Sequence, residues 1–112
     1  MAGKFELSQS KNGKFMFNLK AGNGQVILTS QMYETKASAS AGVESCKKNG
    51  AVDERFERAV SSAGQPYFNL KATNGQVIGR SEMYSSKASR DNGIASVKTN
   101  APDADIKDLT VA

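Results

Sequence analysis

Four stretches of this chain carry residue types and spacings that chemistry uses. Tyr33 and Lys36 stand three apart, as do Tyr84 and Lys87, the arrangement of a phenol whose proton a nearby amine can help to move. Ser45-Cys46-Lys47-Lys48 has the serine-to-lysine spacing of an activated hydroxyl, with a thiol inside it. Gly22-Asn23-Gly24-Gln25-Val26-Ile27 opens like a glycine-rich phosphate cradle. Asp103, Asp105 and Asp108 gather carboxylates near the C-terminus.

None of these constellations is completed by its surroundings. The cradle lacks its last glycine, leads into a strand-like sequence instead of a helix, and recurs later with Thr73 at its first position. The serine–lysine spacing recurs as Ser96-Val97-Lys98-Thr99, with none of the partner motifs such a nucleophile needs. The chain has no histidine, which removes the commonest general base and metal ligand together. Cys46 therefore reads as a small buried residue, as valine does at the matching position. The tyrosine–lysine pairs fall where packing and capping call for the same residue types, and the carboxylates lack metal-ligand spacing. No catalytic, cofactor-binding or metal-binding residue is expected, and the protein reads as non-enzymatic.

Charge and composition narrow the class further. Fifteen basic and eleven acidic residues give a net charge of +4. Residues 1–54 hold seven basic and five acidic side chains, and residues 55–112 hold eight and six. Each half is thus +2, an even spread that suits solubility better than a nucleic-acid footprint. Met1-Ala2-Gly3-Lys4-Phe5-Glu6 has no apolar leader, and no later stretch nears the ~20 apolar residues of a membrane span. With one unpaired cysteine, the expectation is a cytoplasmic protein without a membrane partner.

The elements that would position these residues come from a duplication. Phe17-Asn18-Leu19-Lys20-Ala21-Gly22-Asn23-Gly24-Gln25-Val26-Ile27 returns as Phe68-Asn69-Leu70-Lys71-Ala72-Thr73-Asn74-Gly75-Gln76-Val77-Ile78, an offset of 51. Aligning residues 4–54 with 55–105 needs no gap and gives 24 identities. Two copies are too few for a solenoid, so a pseudo-two-fold pair sharing one core is expected. Asn23-Gly24 and Asn74-Gly75 read as two-residue type I′ hairpins. That register puts Phe17, Leu19, Ala21, Val26 and Leu28 on the core face and Ile27 on the other. Thr35 and Ser86 are expected helix N-caps, for helices over about 36–48 and 87–99. A stripe of Ser38, Gly42 and Ser45, repeated as Ser89, Gly93 and Ser96, would let each helix lie close on the sheet. Asn49-Gly50 reads as a helix stop. The segment near 54–60 both follows the first helix and precedes the second hairpin, so one strand is expected to close the first unit and open the second.

The pattern F-x-L-K-A-x-N-G-[QE]-[VI]-I, followed by S-x-x-Y-x-[ST]-K-A-S-x-x-x-G-[VI]-x-S-[VC]-K-x-N, resembles the YegP-like family of small, largely bacterial proteins in its duplicated branch. The resemblance runs over nearly the whole chain. It implies two βββαβ units that form one sheet and exchange closing strands, and it implies no activity. The expected fold is α+β: tandem βββαβ repeats, one mainly antiparallel sheet, and two helices on one face. The 112 residues would form a single domain of repeats 4–54 and 55–112, a monomer mimicking a dimer of single repeats.

The face away from the helices is the candidate binding surface. On the register above it carries Met16, Asn18, Lys20, Ile27, Tyr67, Asn69, Lys71, Ile78 and Arg80. The expected function is that of a protein-interaction or structural module. The alternative is single-stranded nucleic acid stacked and neutralised on this face.

Overall fold

The computed structural model describes residues 3–110. Met1, Ala2, Val111 and Ala112 lie outside the described residues, and with them the end of the segment 106–111 that follows the second helix. Each hairpin is set by one left-handed residue. Gly24 and Gly75 both have φ of 86°, which costs a glycine nothing. The Gly24 N–H donates to the Ala21 carbonyl and the Ala21 N–H to the Gln25 carbonyl, both at 2.9 Å. Ala72, Gly75 and Gln76 repeat the pattern. Asn23 and Asn74 keep negative φ, and their side-chain oxygens accept from the Gln25 and Gln76 N–H groups at 3.0 Å. The turn is therefore a type I turn closed by a left-handed glycine, and not the two-residue type I′ turn expected. The asparagine caps the turn with its side chain, so only the glycine has to go left-handed.

The strands are β1 (Lys4–Gln9), β2 (Phe15–Lys20), β3 (Val26–Ser30), β4 (Phe56–Val60), β5 (Pro66–Lys71), β6 (Val77–Arg80) and β7 (Asp105–Asp108). They form one mixed sheet in the order β4-β5-β6-β3-β2-β1-β7. At its centre β3 and β6 pair antiparallel, with Thr29 opposite Arg80. Those two residues are 51 apart, so each faces its own counterpart and the pseudo-two-fold axis passes through them. All other neighbours are antiparallel except β7, which runs parallel to β1. The Leu109 N–H continues that ladder to the Leu7 carbonyl at 2.8 Å. The segment near 54–60 follows the first helix and precedes the second hairpin as read, but as β4 its ladder goes to β5 alone. It is β7, arriving from the second helix, that closes the edge of the first unit.

A β-bulge in each copy changes which residues face the core. Leu19 stands opposite Leu28 but Lys20 opposite Val26, leaving Ile27 as the extra residue; Leu70, Lys71, Val77 and Ile78 repeat the shift. Opposed residues share a face, so Val26 and Val77 move to the lysine side. Ile27 (7% exposed) and Ile78 (5%) join the core cluster with Phe17, Leu19, Leu28, Phe68 and Leu70. This reverses the expected placement of both valines and both isoleucines.

Helices α1 (Lys36–Asn49) and α2 (Lys87–Asn100) end one residue beyond the expected bounds. Thr35 and Ser86 cap them, each hydroxyl accepting from the third N–H at 3.1 Å. The buried line of α1 is Ala39, Gly42, Val43, Cys46 and Asn49, so Ser38 lies outside it and serves the cap instead. A Cβ on Gly42 or Gly93 would collide with the hydroxyl of Tyr33 or Tyr84. Each tyrosine ring stacks on Phe17 or Phe68 with centroids 6.3 Å apart. Gly50 is not a left-handed stop: its φ is −64°. A Cβ there would sit 2.9 Å from that of Ala101, so this glycine lets the two helix ends meet.

The open sheet face as candidate functional site

Both helices pack on one side of the sheet, and the other side carries most of the expected binding residues. Lys20 and Lys71 lie there, half exposed, on the last residues of β2 and β5. Neither is free. Lys20 Nζ is 2.9 Å from Glu6 on β1, and Lys71 Nζ is 2.9 Å from Glu57 on β4. The β1–β2 and β4–β5 registers place these partners within one diagonal of each other. In both glutamates the hydrogen bond from the lysine holds the carboxyl below its ordinary range. At neutral pH the two pairs are therefore charged and internally compensated.

Asn69 extends the second pair across the sheet. Its Nδ2 donates to Glu57 at 3.1 Å, and its Oδ1 accepts from Arg80 Nε at 3.4 Å. The Arg80 guanidinium lies over the Tyr67 ring, 5.5 Å from the centroid. Tyr67, Asn69, Lys71 and Arg80 thus converge with Glu57 on one polar ladder. Met16 and Asn18 are half-buried on β2, in the first copy. Ile27 and Ile78 do not belong to the surface, having turned into the core. Sequence reasoning missed Glu6 and Glu57, although Phe5-Glu6 repeating as Phe56-Glu57 was the signal that could have found them.

The residues first weighed for catalysis have structural work. Burial raises the Tyr33 and Tyr84 phenols above their ordinary range, and both hydroxyls rest over helix glycines. Lys36 Nζ is 2.5 Å from Asp108, which joins it to β7 and not to Tyr33. Burial pushes the Cys46 thiol up to about 12, which leaves essentially no thiolate at neutral pH. A groove of about 550 Å3 between α1 and the second hairpin is lined by Tyr33, Ser38, Ser45, Gln76 and Val77 among others. No group of three potential metal ligands occurs among the described residues. Among them, too, no helix is long and apolar enough to cross a membrane.

Comparison with known proteins agrees with the duplication. The family model described as a domain of unknown function, DUF1508, matches twice, over residues 10–57 and 61–108. A UPF0339 protein of Acinetobacter baylyi is 56% identical over 110 residues, covering 98% of this chain and 99% of its own. The UPF0339 protein YegP of Escherichia coli O157:H7 is 53% identical, covering 98% and 100%. The solution structure of a Shewanella oneidensis UPF0339 protein superposes with a TM-score of 0.92 at 54% identity, covering 98% of this chain and 93% of that one. That of yegP from E. coli, described as a protein of unknown function, gives 0.94 at 51% identity, covering 100% and 97%. With a tandem pair of DUF1508 units over nearly its whole length and relatives above half identity, this chain belongs to the bacterial UPF0339 family that includes YegP.

Proposed function

We propose that the protein is a non-catalytic protein-interaction module of the bacterial cytoplasm, a single two-repeat domain that works as a monomer through its open sheet face. One observation carries this reading: Lys20 and Lys71, the two lysines expected on the face, are already bonded to Glu6 and Glu57 beside them. A phosphodiester strand gains affinity by replacing counterions around free cations. Here it would have to displace built-in carboxylates and meet their charge. A polar protein surface can instead dock across alternating, pre-positioned donors and acceptors without breaking the pairs. The side chains are held in place before the partner arrives, which lowers the ordering cost of association.

The test places a photoactivatable cross-linker at Met16 on the open face and, as a control, at Glu44 on the exposed side of α1. Irradiation in the native cell should give one discrete protein adduct from Met16, lost on Glu6→Lys. Adducts to nucleic acid, or the same adducts from both positions, would overturn the reading.

A further inference from the structure

The pseudo-two-fold maps β1 onto β4, and the outer edges of these two strands are in different states. On β1 the slot is filled by β7, with Lys4 opposite Asp105, Phe5 opposite Ile106 and Leu7 opposite Asp108. Asp108 is then fastened from above: Lys36 Nζ reaches it at 2.5 Å, and the Thr110 N–H donates to it at 2.8 Å. On β4 the corresponding slot, beside Arg55, Phe56, Glu57 and Arg58, holds no strand among the described residues. Its loss follows from the duplication, because the chain leaving α1 becomes β4 itself and has no second strand to lay alongside.

The side chains of that empty slot are still arranged for an occupant. Lys87 is the counterpart of Lys36; it is exposed and makes no ion pair among the described residues. Arg55 is the counterpart of Lys4, and its Nε is buried without a hydrogen-bond partner. In the filled slot these two positions are matched with Asp108 and Asp105. Arg58, where the first copy has Leu7, adds a third cation, held by Asp53 at 3.3 Å and Asp91 at 3.5 Å. Val60 is exposed at the far end of the strand. The edge offers two cations, Arg55 and Lys87, without a carboxylate partner among the described residues, has free backbone groups at Arg58 and Val60 by strand alternation, and offers an apolar side chain where the slot ends.

We propose that the outer edge of β4 accepts a parallel extended segment of a partner protein with the pattern Asp-apolar-x-Asp, its first carboxylate meeting Arg55 and its second meeting Lys87. This surface is separate from the open sheet face, and the inference goes beyond the function proposed for that face. Main-chain hydrogen bonds supply the strand addition, and the two carboxylates set direction and register. The occupant is a partner's segment and not β7 of a second copy. Moving β7 between copies would bare β1 in the donor, whereas within one chain β7 docks at the high effective concentration of a short tether.

The probe is a fluorescent peptide of this chain's residues 102–110, Pro-Asp-Ala-Asp-Ile-Lys-Asp-Leu-Thr, titrated into the intact protein at low salt. Binding should perturb the amide signals of Arg58 and Val60 and leave those of β1 and β7 in place. Lys87→Glu should weaken it at least about tenfold, as should replacing the peptide's last aspartate by lysine. Arg58→Pro, which removes an outward N–H that β5 does not use, should abolish binding. Lys48→Glu, an equal charge change on the other helix, α1, should alter affinity less than about twofold. No binding at millimolar peptide would overturn the proposal. So would equal losses for Lys87→Glu and Lys48→Glu, perturbation of β1 or β7 instead of β4, or a dimer of the intact protein that Lys87→Glu dissociates.

Discussion

The first strand of each repeat carries the pair Phe-Glu, yet the Glu6 side chain is 15% exposed and that of Glu57 47%. Phe5 is fully buried while Phe56 keeps a little exposure beside Lys98, whose ammonium lies 5.9 Å from its ring centroid. The sequence of the strand is not the cause. The first copy gains a neighbour in β7, and the second has none among the described residues. Fusing two units end to end leaves one closing strand for two edges, because the linker between them is itself the opening strand of the second unit. The second edge is occupied in part by charge: Asp53 binds Lys98 at 2.5 Å and Arg58 at 3.3 Å, and these contacts hold its carboxyl below the ordinary range. Where the filled edge has Leu7 on β1 and Ala104 leading into β7, the β4 edge has Arg58 and Asp53. Charged groups at an unpaired edge discourage indiscriminate strand pairing.

The largest contrast should come from proline. Leu7→Pro removes a fully buried side chain and an N–H directed at β7, and should cost more than ~3 kcal/mol or prevent folding. Arg58→Pro removes an N–H with no strand beside it and should leave a cooperative fold with a small loss, both read by urea unfolding. Comparable losses would mean that the two edges are alike. Next come the positions that the pseudo-symmetry makes equal. Leu19→Ala and Leu70→Ala, both at fully buried sites, should each cost ~2–4 kcal/mol, and a difference beyond ~1.5 kcal/mol would break the equivalence of the two cores. Gly42→Ala and Gly93→Ala should each cost ~1–3 kcal/mol, because the new methyl must displace a tyrosine stacked on the core.

The smallest effect is local and depends on pH. The Lys36 hydrogen bond holds the Asp108 carboxyl down at about 2, against about 3.9 in an unfolded chain. A depressed carboxyl stabilises the fold above the unfolded value and loses that contribution as pH falls through the folded one. The Leu109 amide, bound to Leu7, should therefore lose exchange protection as pH falls from about 4 to about 2. Asp108→Asn should show weaker protection throughout and no step in that window. No equivalent step should appear on β4.

The hairpins, the helices and their caps were legible because each is written within about fifteen residues, and the repeat because its offset of 51 holds without a gap. Asn-Gly marked the turn but could not give its type, since the pairing of Ala21 with Gln25 is decided by the strands and not by the dipeptide. The bulge at Ile27 was also hidden. Val26 and Ile27 are both apolar, so alternation alone could not say which one turns inward, and that exchange removed two of the nine residues expected on the open face. The acidic partners of Lys20 and Lys71 were missed because they lie fourteen residues earlier, on a strand whose register the sequence does not state. The destination of β7 came only through the resemblance, which implied an exchange of closing strands, because its partner is about a hundred residues earlier. The Lys36–Asp108 contact that fixes it joins two residues with no motif between them.

The inequality of the two edges is tested most directly by native-state hydrogen exchange at Leu7 and Arg58, counterparts in the two repeats. Strand alternation directs both N–H groups outward, Leu7 toward β7 and Arg58 toward solvent. The expected result is protection of Leu7 at least about a hundredfold above that of Arg58 in the free protein. Equal protection at the two sites would contradict the account, because it would mean either that β7 leaves β1 freely or that β4 already carries a strand.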